Sequence, residues 1–329
     1  MLPSNLLMKG NALQTIGGTG TFNPLGAITI GAESNVEMNA NLVVNGTANS
    51  IIHGKLNLKN YTITGIATLQ TKAAGTISSS VTSGTIGSHT ITLPSVSGIY
   101  TGMKITGAGI PAGAYVLASS SSSNTISISD SIQSALTTVN IFGSIPVIET
   151  SNSNGVDGSI GGVTSLSLNN STDYIFDGPT SQPFSLISPS SSRNVTINAN
   201  VVTNKSQNID STLILSSGVL SIRAIDTLRI KSGNDIVGAP FSSTKYIATQ
   251  NDGFNIGVLR MDLSNGNKQF PVGSSNHYLP VKMNSSAPST LTASVFEGVT
   301  NNGELTGTAL NNTQLLIIFG LFFGFRAPR

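Results

Sequence analysis

Ser211-Thr-Leu-Ile-Leu-Ser-Ser-Gly-Val-Leu-Ser-Ile-Arg-Ala-Ile-Asp-Thr-Leu-Arg-Ile-Lys-Ser-Gly233 contains three apolar pairs: Leu213 with Leu215, Leu220 with Ile222, and Leu228 with Ile230. Within each pair the spacing is that of a half-buried strand, whose alternate side chains share a face. Ser, Gly and Asp separate the pairs. Strands this short are not stable in isolation, so they must stack on neighbours along an axis, as the rungs of a solenoid do. Alternation does not set strand direction, which leaves an antiparallel meander as the other reading.

The same grammar runs through Ala27-Ile-Thr-Ile30, Asn35-Val-Glu-Met38, Asn41-Leu-Val-Val44, Lys55-Leu-Asn-Leu58 and Tyr61-Thr-Ile-Thr64, with Gly, Asn and Ala between them. Gly54 to Gly75 resembles an incomplete copy of the Leu213 to Ile230 block. The expected fold class is all-β: a parallel β-helix or solenoid-like stalk followed by a small β-sandwich-like C-terminal unit. At about 20 residues and about 4.8 Å per coil, Ala27 to Ile230 would form an elongated rod of roughly eight to ten coils.

Composition agrees with this. Apolar residues make up 38% of the 329, enough for a core, while charged residues are only 9%, against about 25% in ordinary domains. Gly, Ser, Thr and Asn take the place of the missing charges, and the repeated apolar alternation argues against disorder. A formal charge of +2 without a Lys/Arg cluster excludes nucleic acid as an expected partner. The absence of Cys removes disulfides and thiolate chemistry without fixing a compartment. Met1-Leu-Pro-Ser-Asn-Leu-Leu-Met-Lys-Gly10 lacks the pattern of a signal peptide, so the expectation is a fragment of a longer precursor or export directed by another route.

Between Ile91 and Leu117, Gly and Pro divide the chain into tight turns, followed by strand patterns at Thr125-Ile-Ser-Ile-Ser129 and Thr137-Thr-Val-Asn-Ile141. Gly102, Met103, Gly107, Gly109, Ile110 and Pro111, followed by Asn124 to Ser129, resemble a small β module inserted in phage tail and other extended surface proteins, with Ile105 where Val is commonest. The resemblance implies a structural insert. Ser119 to Ser123 and Ser151 to Gly162 read as loops, the second as a boundary between β blocks.

The C-terminal region carries a longer ordered set: Leu213 to Ile230, Tyr246-Ile-Ala-Thr249, Gly257-Val-Leu-Arg260, Phe270-Pro-Val-Gly273 and Tyr278-Leu-Pro-Val281. Their order resembles the passenger part of secreted, cell-surface adhesin-like proteins of Bacteroidetes-type bacteria exported by the type IX route. That resemblance implies export, a β-helical stalk and a β-sandwich-like terminal unit. In physical terms Phe270 is a buried anchor, Pro271 removes a backbone donor and Gly273 permits a sharp turn. A sugar platform formed by Phe270 and Tyr278 is the functional alternative.

Few residues suggest chemistry. His53, His89 and His277 have no partner at metal-ligand spacing and read as surface or turn residues. For a β-helical polysaccharide-degrading enzyme the candidates are Asp173 and Asp177, with Asp226, Arg223 and Arg229 on a neighbouring block. Along a strand the first two would be about 13 Å apart, beyond the carboxylate separations of glycoside hydrolysis. Asn251-Asp-Gly-Phe-Asn255 and Asn208-Ile-Asp210 offer oxygen ligands without a Ca²⁺-binding repeat. The sequons at Asn45, Asn60, Asn194 and Asn204 are what an Asn/Ser/Thr-rich chain produces by chance. No catalytic, cofactor-binding or metal residue is therefore assigned, and no cofactor is expected.

The expected organisation is solenoid-like at 1–90, an inserted β module at 91–150, solenoid-like at 151–235, β-sandwich-like at 236–314 and an apolar tail at 315–329. Leu315 to Phe325 is too short for a membrane-spanning helix and reads as an oligomer contact or the scar of a truncated or frame-shifted reading frame, with a final buried strand as the other possibility. The expected function is a non-catalytic structural or adhesive surface protein, extracellular or at a bacterial cell surface, contacting surface polysaccharide or neighbouring protein chains, with self-association through 315–325. The alternative is a phage tail-fibre or virion component.

Overall fold

The computed structural model describes residues 4–18, 25–44, 48–65, 68–231, 236–263, 266–296 and 320–326. It is all-β and divides into two compact units, residues 1–149 with 159–172, and residues 150–158 with 173–329. No helix among the described residues is long and apolar enough to cross a membrane.

In the second unit the three apolar pairs that suggested a solenoid do not pair with one another. Leu213–Leu215, Gly218–Ile222 and Thr227–Ile230 lie in three different sheets. Each runs parallel to a strand of the coil before it: Val195 to Leu213, Val201 to Leu220, Asn208 to Arg229. The chain thus winds as a parallel β-helix, and the antiparallel meander is set aside. Side chain to backbone bonds between successive coils join residues 18 to 21 apart.

Parallel register explains why Ile, Val and Leu recur. It superimposes like positions, so Tyr174, Val195, Leu213 and Ile236 form one inward stack and Val201, Leu220, Ile247 and Val272 another. These side chains are buried, and each contributes about 1.5–3 kcal/mol through the area removed from water.

Parallel pairing runs on to Val272–Gly273, past residue 235, where the sequence suggested a separate unit. The coil containing Ile236 is longer than those before it, which obscures the period in the sequence. Antiparallel pairing then takes over, between Val258–Leu263 and Ser289–Phe296 and in the hairpin Gly266–Phe270 with Val281–Ser285. The backbone of Gly320–Arg326 forms a further strand along Ser289–Phe296. That part of the apolar tail is thus a strand of the sheet; residues 315–319 and 327–329 lie outside the described residues.

The first unit holds parallel ladders of the same kind. One joins Ser4–Met8, Leu25–Ile30, Ser50–Ile52, Thr68–Thr71 and Ser165–Ser167, and another joins Leu13–Ile16, Asn35–Met38, Lys55–Asn57 and Val147–Thr150. Ser50–Ile52 and Thr68–Thr71 escaped the sequence reading because polar Ser50 and Thr71 point inward. Thr71 is satisfied there by a 2.7 Å bond between its hydroxyl and that of Thr172.

After Thr71 the chain leaves the solenoid. Antiparallel strands begin at Thr76–Ser80 and end at Thr138–Phe142, so the change of pairing comes earlier than Ile91. Ile91, Met103, Ile105, Val116, Ile126 and Val139 belong to this module's own buried core. The two ends of the module meet where the Gly143 N–H donates to the Gly75 carbonyl at 3.1 Å. A Cβ at Gly143 would lie 2.4 Å from that of Ala74, so only glycine permits this approach.

Candidate functional site

The corner of the second unit that follows Gln182–Pro183, Val201–Val202, Gly218–Ile222 and Lys245–Thr249 carries both bonded charged groups and exposed apolar side chains. At successive coils charged groups bond to neighbouring backbone and side chains and hold the corner. Asp157, on the short helix Gly155–Ser159, accepts from the Ser185 hydroxyl at 2.6 Å and from the backbone N–H groups of Leu186 and Ile187. Lys205 donates to the carbonyls of Leu186, at 2.9 Å, and of Ser188. Burial holds the Lys205 ammonium below the ordinary lysine range, against the opposing charge of Asp157.

One coil further on, buried Asp226 accepts from the Thr203 hydroxyl at 2.7 Å and from Arg223 Nε at 2.8 Å. In the next coil Asp252 accepts from the N–H groups of Asn255 at 2.7 Å and Phe254 at 2.9 Å, and these bonds hold its carboxyl below the usual range. The oxygens considered for Ca²⁺ at Asn251 to Asn255 thus fasten their own turn.

The apolar side chains at this corner do the opposite. Leu186, Ile225 and Phe254 are 62%, 68% and 83% exposed, on different coils of one edge. Each follows a strand of the same sheet, Gln182–Pro183, Gly218–Ile222 and Lys245–Thr249, with the coil of Lys205 between the first two. The sequence reading missed Phe254 because an aromatic in an Asn/Asp/Gly turn looks like any other loop residue.

The residues considered for glycoside cleavage fall into separate clusters. Asp173 accepts from Arg193 Nε at 2.9 Å and Nη2 at 2.5 Å, and from the Asn194 N–H at 3.1 Å. Asp177 accepts from the Ser151 hydroxyl at 2.7 Å. Asp226 is held by Arg223, as above, and Arg229 pairs with Asp262. Asp210, the other oxygen ligand considered, lies 2.7 Å from Lys231 and accepts from Ser191. No group of three or more His, Asp or Glu arranged to hold a metal ion occurs among the described residues.

Phe270 is fully buried, which removes it from any sugar platform. Tyr278 packs against Tyr246, ring centroids 5.7 Å apart, and Tyr246 donates to the Ser274 carbonyl. His89 and His277 are exposed, as expected. His53 departs from expectation: it is completely buried, with Nδ1 2.7 Å from the Lys72 carbonyl and Nε2 2.9 Å from that of Thr101. No spacing rule could have found it, because both partners are backbone atoms remote in sequence.

Comparison of the chain with protein-family models, curated proteins and solved structures gives no match.

Proposed function

We propose that this chain is a non-catalytic structural or adhesive protein of a bacterial cell surface, in which the stacked coils carry a contact edge rather than a reaction centre. One observation carries the reading: on the corner described above the charged groups are consumed in holding the turns, while Leu186, Ile225 and Phe254 face solvent. Such an edge suits an extended partner. A surface polysaccharide can lay the apolar face of a sugar ring on Phe254, and a neighbouring protein chain can cover Leu186 and Ile225. The ordered motifs of residues 213–281, which resemble secreted adhesin-like passengers, support export.

The test measures binding of the full chain to bacterial surface polysaccharides and whole cells, beside the triple variant Leu186→Ser, Ile225→Ser, Phe254→Ser. The reading expects the variant to keep its β circular dichroism and lose most of the binding, and a broad polysaccharide turnover screen to stay blank. Turnover abolished by a single Asp or Arg substitution would overturn it.

A second reading, a phage tail-fibre or virion component, draws on the antiparallel module between Thr76 and Phe142, which has its own core. Obligate trimers in solution would favour that reading; a stable monomer would favour the bacterial surface.

A further inference from the structure

His53 follows the strand Ser50–Ile52, where the antiparallel module meets the solenoid of the same unit. Its ring bridges the two. The Lys72 carbonyl on one side belongs to the chain just past the solenoid strand Thr68–Thr71, and the Thr101 carbonyl on the other belongs to the module. Around it the seam is closed by the Ala32 N–H donating to the Gly102 carbonyl at 2.8 Å and by the Tyr115 hydroxyl donating to the Ala32 carbonyl at 3.0 Å. The packing leaves little space: a Cβ on Gly102 would sit 2.6 Å from Thr29 Cγ2 and 3.1 Å from His53 Cδ2.

A neutral imidazole has one N–H and can donate to only one of the two carbonyls. The imidazolium could serve both, but it would be a buried charge. The ionisable side chains facing the ring are Lys72, whose ammonium lies 5.3 Å from the Tyr100 ring centroid, and Tyr100 itself, stacked on His53 at 6.2 Å. Lys72 repels a second cation. Burial, with the Lys72 charge added, outweighs the two carbonyls and holds His53 below the ordinary histidine range.

We propose that His53 is an acid-sensitive latch: the neutral ring seats the module on the solenoid, and uptake of a proton by the opened seam releases the edge around Tyr100 to Met103. The sign follows from linkage. The closed seam resists protonation while an opened, hydrated His53 takes a proton at its ordinary pKa. Closure is therefore strongest above that pKa and weakens as pH falls through it, by at most tenfold per pH unit for one proton, until the closed form's lower pKa is reached. Two ion pairs also join module and solenoid, Lys104 with Glu33 at 2.7 Å and Lys9 with Asp130 at 3.6 Å. A window from about pH 7.5 to 5 brackets the ordinary imidazole pKa of about 6.5, and the His53→Gln variant separates the histidine from every other group.

The measurement is amide hydrogen exchange of the full chain across this window, corrected for the intrinsic pH dependence of exchange. The reporter is the Ala32 amide, whose bond crosses the seam. Its opening constant should rise toward tenfold over one pH unit below roughly pH 6.5, and His53→Gln should abolish the slope. Protection that stays constant or increases on acidification would overturn the proposal, the second outcome identifying an imidazolium held by both carbonyls. An unchanged slope in His53→Gln would overturn it too. If that variant does not fold, an NMR titration of the native ring decides: a value at or above those of exposed His89 and His277 refutes the latch, and a lower one supports it.

Discussion

Asp173→Ala would remove one acceptor that serves four donors: Arg193 Nε and Nη2, and the Asn194 backbone and side-chain nitrogens. Arg193 can turn to water, but the Asn194 N–H sits between coils and would lose its partner. We expect a loss of about 1.5–3 kcal/mol, with Asp173→Asn milder, read from denaturant midpoints. At Asp210, burial pushes the carboxyl upward, but the hydrogen bonds from Lys231 and Ser191 and the Lys231 charge outweigh it and hold the group below the usual range. A depressed carboxylate stabilises the fold above its unfolded pKa, and that contribution is lost as pH falls through the folded value. Lys231→Met should therefore raise the Asp210 pKa, seen by carboxyl NMR; an unchanged value would show that Ser191 suffices.

Strands of two to five residues depend on their corners as much as on their inward side chains. Asn194 accepts from the Thr212 N–H and Asn200 from the Val219 N–H, each 3.0 Å or shorter, so one coil's side chain satisfies the next coil's backbone. This is a structural use for the Asn, Ser and Thr that dilute the charge of the chain. Gly218, at φ +76°, opens the strand Gly218–Ile222, and a Cβ there would meet the Ala199 carbonyl oxygen at 2.2 Å. Gly218→Ala should cost about 2 kcal/mol or more, through both the dihedral and the clash. Leu220→Ala, which empties a fully buried position between Val201 and Ile247, should cost about 2–5 kcal/mol, whereas Ser221→Ala on the outer face should stay within about 0.5 kcal/mol. Equal effects at 220 and 221, measured by chemical denaturation, would contradict the inward stacking.

For the whole molecule, the arrangement of module and solenoid in the first unit makes a separable prediction. The ends of the module touch, through Gly143 N–H to Gly75 carbonyl and Ala74 N–H to Ser144 carbonyl. A short Gly/Ser linker in place of residues 76–142 therefore closes a small gap at little entropic cost. The shortened chain should fold with its β circular dichroism intact and unfold at a lower temperature, since the bonds of Ala32 to Gly102, of Glu33 to Lys104 and of His53 to Thr101 are gone. Loss of cooperative unfolding would instead make the module an integral part of the first unit's core.

The period-two pairs at Leu213, Leu220 and Leu228 were sufficient to establish short strands of an all-β fold, because the side-chain period of a strand is local and survives in the sequence. Strand direction was not local. It depends on whether Leu213 faces Leu220 or Val195, and only tertiary pairing, which chose Val195, decides that. The buried Phe270 was legible for the same local reason, as an aromatic before Pro-Val-Gly. Polar residues were the illegible part: Asp173, Asp226 and His53 look alike as isolated letters, and what each does is set by groups brought up from other coils. Phe254 was hidden in the converse way, since exposure is a property of the folded surface. The sequence by itself thus determined the short strands and their apolar inward residues, and the tertiary structure decided that they wind in parallel, which polar groups are spent in holding the coils and which apolar ones remain outside.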